Sequence, residues 1–303
     1  MLYFGLQPVP AAGISDVMLC GFIYFLAAQG KKYATIKAYL AGPRMLQLLA
    51  IGTWTKIADR PIAAASLRAA RRMLGDAPNQ KLAITAELLT RIHDVMDFTN
   101  NHNVVIYTAF LVALWGFLRK SNIGVDRESD FNNRHALRRC DVSFDASGNA
   151  WLRITKTKTI QFNQRVLCIP LPIVGSSPKI CPATWLRRML ALIPGVPAED
   201  QLFSLPGETG HRRFQLRTHA KLVRVLKTHL VRINVDPTLY AGHSFRRGGA
   251  TLALTAGVPV EYIKLQGDWR SNAYQLYAGV APSVMLAAVR RMSQSISGIS
   301  ALA

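Results

Sequence analysis

A histidine and an arginine three positions apart are the residues of this chain with the clearest capacity for chemistry. They are His243 and Arg246, in the segment HSFRRGGAT at 243–251. If this segment is helical, side chains at i and i+3 emerge side by side on one face. The guanidinium can donate two parallel hydrogen bonds to a phosphate, and the imidazole exchanges a proton near neutral pH. Alone, such a pair is more often an ordinary polar helix face, so its interpretation depends on other segments.

The segment that follows this pair contains helix breakers and then aromatic residues. Gly257 ends the predicted helix, Pro259 begins another, and Gly267 ends that one. The sequence DWRSNAYQLY then occupies 268–277, with aromatic residues at Trp269, Tyr274 and Tyr277. The order is therefore His-x-x-Arg, a short helix, Gly-x-Trp and a tyrosine shortly afterwards.

Two segments far upstream add cations. Arg119 directly follows the apolar run 104–118, in the sequence GFLRKS at 116–121. Lys156 and Lys158 lie in TKTKTIQF, which is predicted to be part of a β-hairpin. Each has an ordinary structural explanation as well. An arginine complements a helix C-terminus by about 0.3–1 kcal/mol, and lysines are common in solvated turns.

Taken together, these segments resemble tyrosine recombinases, the phage-integrase family. Three consecutive motifs resemble the eukaryotic mobile-element branch of Crypton and DIRS-type elements: HSFRRGGAT, then GVP, then IKLQGDW followed by two tyrosines. The resemblance extends over residues 13–289. It implies a mainly α fold with a small antiparallel β-sheet (α+β), in which a helical core-binding domain precedes the tyrosine recombinase catalytic domain.

The resemblance also implies a function: site-specific cutting and rejoining of DNA through a 3′-phosphotyrosyl intermediate, without a metal. Tyr277 would be the nucleophile, with Tyr274 as the competing, packing tyrosine. His243 would assist deprotonation of the nucleophile, and Lys158, or Lys156 in another register, would protonate the departing 5′-oxygen. The phosphate oxygens would be bound by Arg119, Arg246 and the indole N–H of Trp269.

The sequence departs from the family pattern at three places. Asn122 stands where an acidic residue commonly follows the first arginine by three positions. Trp269 lies two residues past Gly267, where one is more usual. The chain also starts inside the core-binding domain, so a first helix is expected to be missing. An inactive or domesticated copy is therefore an alternative.

The charge of the chain indicates a polyanionic partner. Lysine and arginine number 37 against 17 acidic residues, which gives a formal net charge of +20. A folded, evenly basic protein usually faces nucleic acid. The resemblance implies a C-shaped clamp on double-stranded DNA and a homo-tetramer on two duplexes, with helix 284–292 docked on a neighbour. The candidate DNA contacts are Lys31, Lys32, Lys37, Arg44, Arg217, Lys221 and Arg224.

Composition also bears on cofactors, membranes and location. The four cysteines are far apart and the acidic residues are scattered, so no metal site and no cofactor is predicted. The longest apolar run, residues 104–118, is short for a membrane span and suits a buried helix. We expect a soluble intracellular protein, nuclear if the host is eukaryotic as the resemblance implies, and otherwise cytoplasmic.

Local signals predict the elements that position these residues. Helices are predicted over 17–28, over 35–50 with a bend at Pro43, and from Pro61 to about Gly75. The segment 75–81 is the best linker, so the domains are placed at 1–76 and 77–303. Later elements are a helix capped by Thr85, a buried helix over 104–118, two hairpins between 140 and 171, a helix from Pro182, a basic helix over 217–233, and helices to about 292.

Two rival functions belong to other classes. The first is a DNA-binding protein whose active site has decayed. The second is a type IB topoisomerase-like enzyme, which would relax supercoils as a monomer and give no recombinant product. A metal-dependent transposase is disfavoured because the acidic residues are few and scattered.

Overall fold

The structure is a computed structural model, and it divides the chain into two compact units, Met1–Gln80 and Lys81–Ala303. The fold is mainly helical with a small three-stranded antiparallel sheet, as predicted. The residues described are all except 1–9, 11, 77–79, 126–135, 158–159, 161–164, 193–195, 206–213, 216–217, 271 and 277–303.

The first unit is helical. Ser15 caps its first helix by accepting a hydrogen bond from the backbone N–H of Met18 at 3.2 Å. A small core of Leu19, Ile23, Leu26 and Ile36 holds the helices together. The helices are α1 (Asp16–Ala28), α2 (Tyr33–Tyr39), α3 (Ala41–Ile51) and α4 (Pro61–Leu74), with a 3₁₀ turn at Ile57–Asp59.

The prediction of a single bent helix over 35–50 is wrong. The chain forms two helices that meet at Leu40, and Pro43 lies in the first turn of α3. A proline is tolerated in a first turn, since its missing N–H has no partner there, whereas in a helix interior it removes a hydrogen bond. The chain therefore starts a new helix before the proline.

The second unit is built around a helix that is buried on every side. This helix, α6, runs over Asn101–Trp115, and all residues from Val104 to Leu114 are buried. Asn100 caps its start by accepting a hydrogen bond from the N–H of His102 at 2.9 Å. It packs against its neighbours in the unit, α5 (Ala86–Asp94), α8 (Pro182–Ala191) and α10 (His243–Thr255).

The buried helix ends earlier than the apolar run. It stops at Trp115, and Phe117 then adopts a left-handed backbone with φ 47°. Leu118 is buried although it lies outside the helix. Arg119 therefore does not extend α6, and instead follows it after a sharp turn.

The sheet contains three antiparallel strands in the order β1–β2–β3. The turn at 145–148 joins the first two strands, as predicted, and Gly148 takes φ 85° there. The second strand alternates buried and exposed residues, which gives the sheet one face toward the core. The strands are β1 (Val142–Phe144), β2 (Ala150–Ile154) and β3 (Leu167–Leu171).

The remaining elements complete the second unit. The basic helix begins at His219, two residues later than predicted, because the side chain of Thr218 caps it. None of the described helices is long and apolar enough to cross a membrane. The elements are α7 (Lys120–Ile123), β4 (Ser204–Leu205), β5 (Phe214–Gln215), α9 (His219–Arg232), α11 (Val260–Gly267), and 3₁₀ turns at Arg139–Asp141, Pro178–Ile180, Pro237–Leu239 and Asn272–Leu276.

Candidate active site

The helix that carries His243 and Arg246 lies unusually close to the end of α6. A Cβ atom on Gly248 would lie 1.9 Å from the carbonyl oxygen of Ile84, and one on Gly249 would lie 2.2 Å from that of Leu114. Only glycine fits in either place. The two glycines that follow the arginine pair thus bring α10 against the C-terminal end of α6.

Arg246 is the most buried cation of the site, with 3% of its surface exposed. Its Nη1 donates to the carbonyl oxygen of Phe117 and its Nη2 to that of Gly267. Its guanidinium carbon lies 3.8 Å from the ring centroid of Trp269, so the cation stacks on the indole. Two carbonyls and one ring hold the side chain in a single position.

Trp269 reaches this position because the chain reverses after α11. Asp268 caps the helix in the left-handed conformation, with φ 52°. A Cβ atom on Gly267 would lie 1.8 Å from the indole ring, so the ring occupies the space that a side chain would need. Trp269 is 8% exposed and packs with Phe117, Ala250 and the neighbouring apolar residues.

Arg119 is held from the same turn. Its Nη1 donates to Oδ2 of Asp268 at 2.8 Å, and its Nη2 donates to the carbonyl oxygen of Asp268 at 3.0 Å. Arg119 is also the residue that precedes α7, so the turn after α6 sets the direction of its side chain. The two arginines lie far apart in the sequence of the second unit, and they meet at residues 267–269.

Asp268 is the centre of this cluster and is 3% exposed. Besides Arg119, its Oδ2 accepts a hydrogen bond from Oγ1 of Thr157 at 2.8 Å. Its Oδ1 pairs with Nη2 of Arg165. One carboxylate thus contacts the turn after α6 and both sides of the segment between β2 and β3.

His243 lies at the solvent-exposed edge of the cluster. The pKa of its imidazole is lowered from 6.5, first by partial burial and then by the positive charges of Lys120, Arg246 and Arg119. A lowered pKa keeps the ring neutral near pH 7, which is the state that accepts a proton. His243 and Arg246 lie three positions apart on α10, so their side chains emerge on the same face of that helix.

A basic groove of about 760 Å³ opens beside His243. Its lining includes apolar side chains of α9 together with positive or titratable side chains. These are Lys120, His219, Arg224, Lys227 and His243. A groove of this charge suits a phosphate backbone.

The structure brings together four of the six predicted catalytic residues: Arg119, His243, Arg246 and Trp269. Lys158 and Tyr277 lie outside the described residues, so their placement stays a prediction. The competing Tyr274 is 9% exposed and packs at a ring-centroid distance of 6.5 Å from Trp269. That environment is typical of a packing aromatic.

Lys156, the alternative lysine, is described and lies near Asn122. The carbonyl oxygen of Lys156 is 3.5 Å from Nδ2 of Asn122, and Asn122 is 2% exposed. Lys156 also lines a second polar groove with Arg153 and Arg165. Asn122 thus packs at the base of the hairpin segment that the resemblance associates with the catalytic lysine.

The predicted DNA contacts fall in both units. In the first unit, Lys31 and Lys32 precede α2, Lys37 lies near its end, and Arg44 lies in α3. Of these four residues, Lys31 is half-buried and the other three are exposed. In the second unit, Lys221 and Arg224 lie on α9, and Arg224 lines the basic groove. Arg217 lies outside the described residues.

Five residues of the site were not predicted from the sequence: Asp268, Thr157, Arg165, Lys120 and Lys227. The strongest missed signal is Asp268, an acid inside the aromatic segment of a chain with only 17 acidic residues. Nothing in the sequence indicates which cation it contacts. The partners lie more than a hundred positions away along the chain.

The fold defined by this arrangement is that of tyrosine recombinases. The chain is similar to the Tn1549 transposon integrase in complex with transposon right end DNA, with a TM-score of 0.61, 13% identity, and coverage of 94% of this chain and 87% of that chain. For a lambda integrase dimer bound to a COC′ core site, the TM-score is 0.56 at 13% identity, with coverage of 92% and 84%.

A third solved structure is the XerH site-specific recombinase bound to palindromic difH substrate. The TM-score is 0.55 at 15% identity, with coverage of 91% of this chain and 69% of that chain. No protein-family model matches the chain, and no curated protein matches it. At such identities the similarity establishes the fold, and the activity has to be argued from the site.

Proposed function

We propose that this chain is a site-specific DNA recombinase or integrase that cuts and rejoins DNA through a 3′-phosphotyrosyl intermediate. The observation that supports it most is the convergence of Arg119 and Arg246 on residues 267–269, next to His243. Two guanidiniums and a neutral imidazole suit the phosphorane-like transition state of phosphodiester cleavage, in which negative charge develops on the non-bridging oxygens.

In the proposed reaction, the phenolic oxygen of Tyr277 attacks the phosphorus and forms a P–O bond. Its proton leaves with the help of His243, whose lowered pKa favours the accepting form. The bond from phosphorus to the 5′-oxygen breaks, and Lys158 gives that oxygen a proton. Arg119 and Arg246 neutralise the charge that develops on the non-bridging oxygens. Attack by a 5′-hydroxyl reverses each step, so the bond energy is kept for religation.

Double-stranded DNA is the proposed partner. The basic groove beside His243 and the net charge of +20 both favour a polyanion. Three of the solved relatives are described as complexes with DNA. We assign the first unit as the core-binding domain, with Lys31, Lys32, Lys37 and Arg44 as phosphate contacts, and a homo-tetramer on two duplexes as the active assembly.

A mobile element is the proposed source of the gene. The wording of residues 243–277 supports the Crypton and DIRS-type branch, and one solved relative is a transposon integrase. A nuclear location follows if the host is eukaryotic. These assignments and the roles of Tyr277 and Lys158 depend on the resemblance, whereas the proposal that Arg119 and Arg246 bind a phosphate rests on the geometry of the described residues.

A suicide substrate tests the proposal. In such a duplex a nick just downstream of the cleavage site lets the short fragment that carries the released 5′-hydroxyl diffuse away, so religation fails and a covalent protein–DNA adduct accumulates. Because the target sequence is not known, the duplexes are a randomised pool enriched for binding. We expect an adduct with the wild type, none with Tyr277→Phe, and an undiminished yield in EDTA. No adduct from the wild type on bound duplex would favour a DNA-binding protein without activity. Supercoil relaxation by a monomer, without recombinant product, would favour the topoisomerase-like alternative.

A further inference from the structure

The acidic residue missing from its usual place in the sequence has a counterpart elsewhere in the fold. Asn122 is uncharged, but it lines a small cavity together with Arg119, Thr157, Arg246 and Asp268. The carboxylate in that small cavity belongs to Asp268, which lies far from Asn122 in the sequence. The small cavity therefore contains an acidic side chain even though position 122 does not supply it.

The contacts of Asp268 are those of a residue that holds other side chains in place. Its carboxylate and its carbonyl each accept a hydrogen bond from Arg119, which fixes the guanidinium at two points. Two of the five N–H groups of a guanidinium are used in this way, and the others remain able to meet a phosphate. The same carboxylate pairs with Arg165 and accepts a hydrogen bond from Thr157.

Thr157 connects this carboxylate to the hairpin segment. Its backbone N–H and carbonyl pair with those of Ile160, at 3.1 and 3.2 Å. Its hydroxyl also accepts a hydrogen bond from the N–H of Ile160 at 3.1 Å while it donates to Asp268. Thr157, and with it Ile160, is thus attached to the same acid as Arg119.

We propose that Asp268 is the positioning carboxylate of the active site, holding Arg119 and Arg165 toward the phosphate in place of the acid absent at position 122. This rests on the proposed function, because it assigns the two arginines to a phosphate. Asp268 itself does not contact the reacting atoms. Arg165 becomes a third cation of the site, beside Arg119 and Arg246.

The variant Asp268→Asn is the sharpest test. Asparagine has the same shape, and it tolerates the left-handed backbone that Asp268 adopts. It removes the charge and leaves a group that can still accept a hydrogen bond. The matched control is Asp94→Asn, which removes another paired acid of the same unit, one bound to Lys179 at 2.6 Å on the surface.

The first measurement follows the guanidinium of Arg119 by NMR in the free protein, with its signals assigned through Arg119→Lys. A guanidinium held at two points rotates slowly, so its Nη protons give separate signals. We expect these in the wild type and in Asp94→Asn, and their collapse in Asp268→Asn. Unchanged Arg119 signals in Asp268→Asn would overturn the assignment of Asp268.

The second measurement is a double-mutant cycle on the rate of adduct formation in a single turnover. We expect Asp268→Asn to slow the reaction about 100-fold, the scale of a misplaced catalytic group, and Asp94→Asn to leave it unchanged. In an Arg119→Ala background the same substitution should slow it less than about 10-fold, because Arg119 is already absent and only the positioning of Arg165 remains to be lost.

The two readouts separate the two proposals. An equal loss from Asp268→Asn in both backgrounds would mean that the acid only supports the fold, and would overturn the positioning role. A wild type that forms no adduct would overturn the proposed function. The NMR signals would still decide whether Asp268 holds Arg119, since they require neither DNA nor cleavage.

Discussion

The role of Trp269 can be decided by removing its N–H and its ring separately. The resemblance gives its indole N–H to the phosphate, whereas in the structure the ring stacks under Arg246, with 3.8 Å from the guanidinium carbon to the ring centroid. Trp269→Phe keeps an aromatic face and loses the N–H. Trp269→Leu keeps an apolar side chain and loses the face.

The magnitude follows from the burial of the pair. Arg246 and Trp269 are 3% and 8% exposed, so their stacking takes place away from water. A desolvated cation–π contact contributes about 2 kcal/mol, which corresponds to roughly 30-fold in rate if it is lost entirely in the transition state. We therefore expect Trp269→Leu to slow adduct formation about 30-fold. Trp269→Phe should slow it only about 3-fold, because the phenyl face still supports the cation.

The assay is single-turnover cleavage of the suicide substrate at saturating protein, with urea unfolding of each variant to confirm that it is folded. Trp185→Phe is the matched control, since the indole N–H of Trp185 donates to the carbonyl of Pro178 at 3.1 Å in α8, outside the cluster. It should leave the cleavage rate unchanged. If Trp269→Phe were as slow as Trp269→Leu, the N–H would be the functional group and the stacking argument would be refuted.

Three further predictions concern packing, pH and DNA. Gly248→Ala should destabilise the second unit by about 3 kcal/mol or more in urea unfolding, because its Cβ would meet a backbone carbonyl at 1.9 Å; Gly175→Ala, whose Cβ would meet nothing within 4 Å, should change the unfolding free energy by less than about 0.5 kcal/mol. The pKa of His229 is lowered from 6.5, chiefly by burial, so the unfolded chain takes up a proton that the folded one refuses. The unfolding free energy should then fall as pH decreases below 6.5, by at most about 1.4 kcal/mol per pH unit from this ring. His229→Leu should make the unfolding free energy depend less steeply on pH in that range. An identical slope in the variant would contradict the lowered pKa of His229. Arg224→Ala should weaken duplex binding for all sequences and reduce the slope of log K against log salt by about 0.9, while Arg187→Ala, whose side chain stacks on the sheet, should leave that slope unchanged.

Elements with a local cause were predictable from the sequence. Ser15 and Thr85 cap the helices that follow them, and Pro61 begins α4, because a helix terminus depends on the few residues around it. The turn at 145–148 was predictable for the same reason. The break at Leu40 was not, because the apolar positions of residues 35–50 fit one face of a single helix that Pro43 would bend. The position of Pro43 in a first turn, and not in a helix interior, is what separates the two helices.

The site was predictable in its residue types and unpredictable in its contacts. Arg119 and Arg246 could be chosen as phosphate ligands, since a guanidinium has that capacity wherever it lies. That Arg246 would be 3% exposed, between two carbonyls and an indole ring, could not be read from its neighbours in sequence. The family resemblance predicts that the indole N–H of Trp269 donates a hydrogen bond to the phosphate. The stacking of Trp269 on Arg246 depends on the left-handed turn at Asp268, which the sequence does not predict.

The sequence by itself determined the chemical inventory: a histidine and an arginine on one helix, a basic chain, and local signals for most elements. Those properties depend on residues that are adjacent or one helical turn apart. The tertiary structure decided which groups meet. Arg119, Thr157 and Arg165 converge on one buried carboxylate. They meet there because α6, α10 and the turn after α11 pack closely, at glycines that leave no room for a Cβ atom. A buried charge needs a partner, and the partner for Asp268 is set by that packing and not by its position along the chain.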